Sequence, residues 1–330
     1  MSVNRREFVQ RSVALATVSS MGFVLPAEAQ AIDTLKVVTG FPPGGTSDTT
    51  CRRLAEKLRG TYAKNTLVEN RTGAGGQIVI QSMKTLTPDG TTLMQTPMSM
   101  LGIYPHIYKK LSYDPINDVT PVSLAAVFDF GLAVGPAVPA SVTNVNEFVT
   151  WCKANPNMAN FGSPAAGSVP HFIGALLGRA TGVDFKHVPY RGSQPALLEM
   201  IGGNLTAVSA PVGDILQHVA GGRARLLATS GAKRNKFAPT IPTYTEQGLK
   251  DFAFSEWFGL YTVAKTPADI VQKMNAACRE AIASKDFTDG LATFGLEAQS
   301  STPAELAAIL KADTDRWAVL VKAIGFSADA

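Results

Sequence analysis

The stretch LKVVTGFPPGGTSD, Leu35 to Asp48, decides the fold. An apolar, β-branched run (Leu35–Phe41) stops at Pro42-Pro43-Gly44-Gly45, and a helical pattern opens within the next three residues. Cys51, Leu54, Ala55 and Leu58 then recur at i, i+3, i+4 and i+7, the stripe of an amphipathic helix. Strand, tight glycine loop, helix is one βα unit. Reading outward, Leu67-Val68 is a second strand, and Asn70-Arg71-Thr72-Gly73-Ala74-Gly75-Gly76 leads to a helix through Met83. Pro88-Asp89-Gly90 turns the chain into a third strand, Thr92–Thr96. The result is a βαβαβ unit, half of a doubly wound domain.

The alternation resumes further on. Two apolar runs, SLAAVF and FGLAVG, lie between Ser123 and Gly135 with almost no loop, as expected where a doubled strand leaves one domain for another. Asn144 with Glu147 predicts a capping box opening a helix through Cys152. Strands follow at Asn160–Gly162, Phe185–Val188, Thr206–Val208 and Arg225–Thr229, with helices at Ser168–Ala180, Ser193–Ile201 and Asp214–Ala220. Trp257–Val263 is an apolar strand suited to return the chain to the first domain. Thr266-Pro267-Ala268-Asp269 and Thr302-Pro303-Ala304-Glu305 are expected to cap the last two long helices. The reading is therefore α/β, two lobes, each a doubly wound, mostly parallel sheet. Residues 32–128 and 255–330 form lobe 1, residues 129–254 form lobe 2, and a hinge and cleft lie between.

Residues 1–31 stand apart. Arg5, Arg6 and Arg11 precede the apolar run Val13–Leu25, and Ala27-Glu28-Ala29 and Ala29-Gln30-Ala31 offer small-x-small cleavage sites. The run is about 13 residues, short of the roughly 20 that span a bilayer. Asn4-Arg5-Arg6-Glu7-Phe8-Val9 looks like a twin-arginine export signal, with a general secretory signal as the alternative. The expectation is cleavage and a periplasmic location. The whole chain of 330 residues carries a net charge of +4; loss of three Arg and two Glu leaves +3. Hydrophobic residues at 45% against 17% charged exclude disorder, and the absence of a basic stripe excludes a nucleic-acid partner. Cys51, Cys152 and Cys278 form no CxxC pair and fall on helical apolar stripes, so they read as core.

The chemistry sits in the βα loops. In the first loop, Phe41, Gly44, Gly45, Thr46, Ser47 and Asp48, glycines admit a ligand close to the backbone. The helix start offers N–H donors and a partial positive charge to an anion. Asp48 has a second reading, as the helix cap. No Lys-Ser/Thr follows, and Ile78 breaks a G-x-G-x-x-G match at Gly73-Ala74-Gly75-Gly76, so neither nucleotide motif is present. The second lobe repeats the device with Ser163, Ala165, Ala166, Gly167, Ser168 and, just inside the helix, His171. The four histidines show no metal spacing, and no cofactor or metal is expected. A hydrolase using Ser163 and His171 is the weakest reading, lacking a G-x-S-x-G elbow and an acid partner.

VTGFPPGGTSD, VENRTGAGGQI and TPDGTTLM, then YKKLSYDPINDVTPVSL, HVPYRGSQPALLEMIGG, LLATSGAKR, IPTYTEQGL and WFGLYTVAKTPADIV, resemble Bug-type extracytoplasmic solute-binding proteins of tripartite tricarboxylate transporters, in order along the mature chain. The resemblance implies a periplasmic binding protein of the second topological type, without enzymatic activity. It would grip one carboxylate of a small organic acid through backbone groups and waters, and serve membrane permease subunits. It adds Thr96 to Ser99 as cleft lining. A sensor subunit of a signalling system is the competing role. Two departures stand out: Ala165 and Ala166 replace the usual Gly and Asn, and Ser209-Ala210-Pro211 replaces Phe-Asp-Asn. With Ala210 and Pro211 uncharged, Asp48 is the only acid expected near the cleft. The expected ligand is thus an organic acid without an amino group, aromatic or a medium-chain dicarboxylate.

Overall fold

The computed structural model describes residues 32–328. The expected export signal and its expected cleavage sites lie outside those residues. From Ile32 the chain runs β1 (Ile32–Thr39), α1 (Thr46–Leu58), β2 (Ala63–Asn70), α2 (Gln77–Met83), β3 (Thr92–Pro97), α3 (Met98–Gly102) and α4 (Tyr104–Ile107). Next come β4 (Val119–Val134), α5 (Val145–Ala154), β5 (Asn160–Ser163), α6 (Val169–Thr181), β6 (Lys186–Pro189), α7 (Ser193–Ile201), β7 (Ala207–Pro211), α8 (Val212–Val219) and β8 (Arg225–Thr229). The last part is β9 (Ser255–Val263), α9 (Ala268–Ala283), α10 (Lys285–Ala292), β10 (Glu297–Ala298) and α11 (Pro303–Ile324).

Hydrogen bonding joins the strands in the order β2-β1-β3-β9-β4-β7-β5-β6, with β8 and β10 also paired to β4. β1 lies parallel to β2 and β3, and β5 lies parallel to β6 and β7, because helices cross over between them. The antiparallel strands β4 and β9 are where the two halves meet. β4 is one strand of 16 residues. Its first part, Val119–Asp129, pairs with β9, and its last part, Phe130–Val134, pairs with β7. Asp129 joins the two apolar runs with no Gly or Pro between them, so the strand changes partners without breaking.

The apolar periodicity explains which faces are covered. Leu54 and Leu58 of α1 are wholly buried, with Cys51 and Ala55 beside them on the same face. All three cysteines are free and buried, and burial pushes the thiols of Cys152 and Cys278 up to about 12. Among the described residues no helix is long and apolar enough to cross a membrane.

Two caps differ from expectation. Asn144 accepts the Glu147 N–H, but Glu147 turns back to the Thr143 N–H and hydroxyl, so the reciprocal bond of a capping box is not made to Asn144. Pro267, not Thr266, is the N-cap of α9, and the Thr266 hydroxyl donates to Val263 O instead. At α11 the full capping box of Thr302 and Glu305 is present.

Candidate ligand-binding cleft

The carboxyl ends of β1, β5 and β7 carry loops that meet over the point where β4 crosses between the sheet halves. In the first loop, Gly44 takes φ +89°, which a side chain would disfavour. Its N–H donates to Asp48 Oδ2 at 3.0 Å, and the same oxygen accepts from Arg52 Nε at 2.8 Å. Asn70 Nδ2 holds the other oxygen at 2.9 Å and also reaches Phe41 O. Burial pushes the Asp48 carboxyl up, but bonds from Arg52, Gly44 and Asn70 outweigh it and hold the group below the usual range. Asp48 is thus inside the first turn of α1 as a loop brace; the N-cap is Gly45, which has no side chain to cap with.

The start of α1 is not left bare. Thr46 N donates to Asp214 Oδ1 at 2.7 Å, across 168 residues of sequence, and the Thr46 hydroxyl approaches Oδ2 at 3.4 Å. Asp214, in the first turn of α8, is buried and its carboxyl is pushed up to about 6; burial raises it, while Ser193 and Thr46 bonds pull the other way. Ser47 joins a buried network, its hydroxyl 2.6 Å from both Thr39 Oγ1 and Gln95 Oε1.

The second loop is tied from within. Ser163 Oγ donates to Ala165 O at 3.0 Å, as does Ser168 Oγ at 2.7 Å. Gly167, at φ +74°, donates its N–H to His171 Nδ1 at 2.9 Å. His171 stacks on His187 with ring centroids 3.8 Å apart, and His187 Nε2 lies 2.8 Å from Ser163 Oγ. Burial depresses both imidazoles, to about 4 for His171 and about 3 for His187, where His171 adds to the effect. The expected pair of Ser163 with His171 is not formed: Ser163 meets His187 instead. The Ser163 hydroxyl lies within hydrogen-bond reach of both Ala165 O and His187 Nε2, and Ser163 is wholly buried.

Between these loops lies a cleft with about 530 Å³ of atom-free space, open solvent at its mouth included. Of the residues the sequence singles out, Phe41, Gly45, Thr46, Ser47, Ser99, Ala165, Ser168 and Pro211 line it. Gly44, Asp48, Ser163, Ala166, Gly167 and His171 are not among the lining groups. Neither is Thr96, whose hydroxyl donates to Pro97 O at 3.4 Å, nor Ala210, paired with Gly131 in the sheet.

Sequence reasoning missed the floor and the charges. Phe128 packs on Phe258 at 4.5 Å and on Phe130 at 5.6 Å, so the crossing strands supply an aromatic floor. Ser193 and Gln194 open α7 on the lining, and the buried Gln194 Nε2 has no partner among the described residues. Two buried acids, Asp214 and Glu256, also line the cleft, and no Lys, Arg or His does. This overturns the expectation that Asp48 is the only acid nearby, and with it the argument against an amino group. Glu256 Oε1 accepts from the Ser99 N–H at 2.7 Å and from the Ser99 hydroxyl. A signal existed for each acid: Asp214 follows a strand-ending Pro211, and Glu256 is the one charge on an otherwise apolar or neutral strand.

Two lobes, βα loops converging on a shared cleft and an aromatic floor at the strand crossing define a two-lobed binding protein of the periplasmic type. The chain belongs to the tripartite tricarboxylate transporter family of receptors, whose model matches residues 50–326, and within it to the Bug type. It is 28% identical to protein BugT of Bordetella pertussis, over 93% of this chain and 95% of the relative. Among solved structures it resembles Rpa4515 of R. palustris with adipate, at TM-score 0.85 and 27% identity, covering 89% of this chain and 98% of that one. It also resembles MatC of Rhodopseudomonas palustris with bound malate, at TM-score 0.81 and 28% identity, covering 88% and 99%.

Proposed function

We propose that this chain is an exported receptor that captures a small organic acid between its lobes and delivers it to the permease subunits of a tripartite tricarboxylate transporter. The observation that carries this is the meeting of two βα loops, Phe41–Ser47 and Pro164–Ser168, on one aromatic-floored cleft. The adipate- and malate-bound relatives support the carboxylate class. Lobe 1 comprises 32–128 and 255–330, lobe 2 comprises 129–254, and residues 1–31 are an export signal removed before the protein works. The carboxylate is gripped by neutral donors: the N–H groups of Gly45 and Ser47 and the unpartnered Gln194 amide. The phenylalanine floor favours an aromatic or medium-chain body. No catalysis is assigned, since Ser163, which meets His187, is wholly buried and is not among the groups lining the cleft. A thermal-shift screen against mono-, di- and tricarboxylates, aromatic ones included, tests the reading. A ligand at a hundred times its dissociation constant should stabilise the protein by about 2.7 kcal/mol. No shift with any acid would refute it. Sequencing the amino terminus of periplasmic material tests export; a mature chain beginning near Met1 would contradict it.

A further inference from the structure

We infer that Glu256 enters the complex protonated and donates its O–H to the ligand, so that the cleft takes up one proton with each organic anion. The inference rests on the carboxylate reading above and concerns how an anion is tolerated in an acidic cleft.

The geometry comes first. Side chains alternate along β9, so Glu256 and Phe258 point to the cleft while Trp257 turns to α11, where its Nε1 donates to Asp313. Glu256 is 3% exposed, and Ser99 engages Oε1 twice. No described residue donates to Oε2. Asp214, the other acid of the lining, is already engaged by Thr46 and Ser193. Glu256 Oε2 is therefore the carboxyl oxygen still open to a ligand.

The charges around it supply no counter-ion in the cleft. On α11, Asp313 opposes ionisation of Glu256; on α4, Tyr104 is neutral, its own ionisation opposed by burial and by Glu256 among others. On β4, Asp129 is tied to Ser255 and Asn235. Across the cleft stands Asp214. The nearby cation, Arg316, lies in the outer groove and donates to Ala253 O. Burial, opposed by the two Ser99 bonds, already holds the Glu256 carboxyl up at about 7. An incoming carboxylate adds a like charge at short range in a water-poor site, which raises it further. The proton comes from solvent, no covalent bond is broken, and the pair of carboxyls carries one negative charge instead of two. A bare dicarboxylate then meets a hydrogen-bond donor where it would otherwise meet a charge.

The test is calorimetric titration of the wild-type protein with adipate, malate and terephthalate, each in two buffers of different ionisation enthalpy. At about pH 8, one unit above the carboxyl's value, binding should take up close to one proton, and affinity should fall about tenfold per pH unit above neutrality. Glu256→Gln, whose amide can still donate, should bind with no proton uptake and a flat pH profile. Binding by the wild type without proton uptake overturns the inference while leaving the receptor reading intact. So does affinity that rises with pH and is lost in Glu256→Gln, the pattern expected if an ionised Glu256 accepts from a ligand ammonium or hydroxyl. If none of the three acids binds, the carboxylate reading fails and this inference falls with it.

Discussion

At the scale of single residues, two glycines that look alike in the sequence differ in what they tolerate. Gly167 has φ +74°, and a Cβ there would lie 2.0 Å from Ile107 Cδ1. Gly45 has φ −87°, and its Cβ would meet only the Asp214 carboxylate, Oδ1 at 3.6 Å and Oδ2 at 3.9 Å. Gly167→Ala should therefore cost about 1–3 kcal/mol in denaturant unfolding, while Gly45→Ala stays within about 0.5 kcal/mol. Equal costs would mean the second loop relaxes freely. The titrating groups set a pH dependence with two opposing arms. Asp214 is raised from 3.8 to about 6, so its contribution to stability is complete below about 3.8 and lost as pH rises through 6. The loss is on the order of 3 kcal/mol at 1.36 kcal/mol per unit. His171 and His187 run the other way: lowered from 6.5 to about 4 and about 3, they are neutral and without cost above 6.5, and their stability is lost as pH falls toward those values. Asp214→Asn, which keeps an acceptor for Thr46 N, should lessen the decline between about pH 4 and 6, leave the part due to Glu256, raised from 4.5 to about 7, and leave the acid arm unchanged. A decline as large in the variant as in the wild type would take Asp214 out of it and leave it to Glu256.

At the scale of elements, the two helix starts that share a Thr-Pro-Ala-acid pattern behave differently. Thr302→Ala removes a cap that accepts the Glu305 N–H, and should cost about 1 kcal/mol in thermal or denaturant melts. Thr266 is not the cap of α9, so Thr266→Ala loses only its hydrogen bond to Val263 O and should cost less. A larger loss at Thr266 would contradict the assignment. The same contrast marks how much was legible. Leu35–Phe41 and the Cys51–Leu58 stripe announce β1 and α1, because a side chain's spacing along its own strand or helix decides which face it covers. The doubled run around Asp129 could likewise be read as one crossing strand. What the spacing does not carry is which distant groups share a cleft. Asp214 meets Thr46 through the placing of β7 against β4, and Glu256 faces inward by the register Glu256↔Phe128. Both depend on long-range pairing, so Asp48, local to the first loop, was the acid that sequence reasoning could see. His171 was legible as a helix-start histidine, but its stack on His187 comes from another strand.

At the scale of the molecule, the Thr46–Asp214 bond links the loops of the two lobes, and three further ties beside the crossing strands bear on how the lobes can move. β4 is the first. The second is the segment entering β9, stitched to β4 by Ser230: its hydroxyl accepts the Phe130 N–H at 2.9 Å and donates to Phe254 O, while Phe254 N donates back to Ser230 O at 2.7 Å. The third is α11, whose Trp317 packs on Phe172 of α6 at 5.4 Å and on Phe254 at 5.9 Å. Arg179 of α6 also donates to Ala323 O at 2.8 Å. Because Trp317 touches Phe254, the third tie runs beside the crossing strands, and a rotation about those strands moves it little. Ligand binding should then close the cleft as a hinge, giving a smaller radius in small-angle scattering with a binding acid than without. Ser230→Ala would leave the buried Phe130 N–H and Phe254 C=O short of partners, costing about 1–3 kcal/mol without changing the sense of closure. Trp317→Ala weakens the third tie, leaving its Arg179–Ala323 bond, and touches neither strand. Its expected effect is a larger radius in the free state and a wider gap between free and bound states than in the wild type. If the gap stays the same, the packing of α11 on α6 takes no part in the hinge. If the wild type shows no change in radius while calorimetry reports binding, the cleft is a fixed site, and the loops alone admit the ligand.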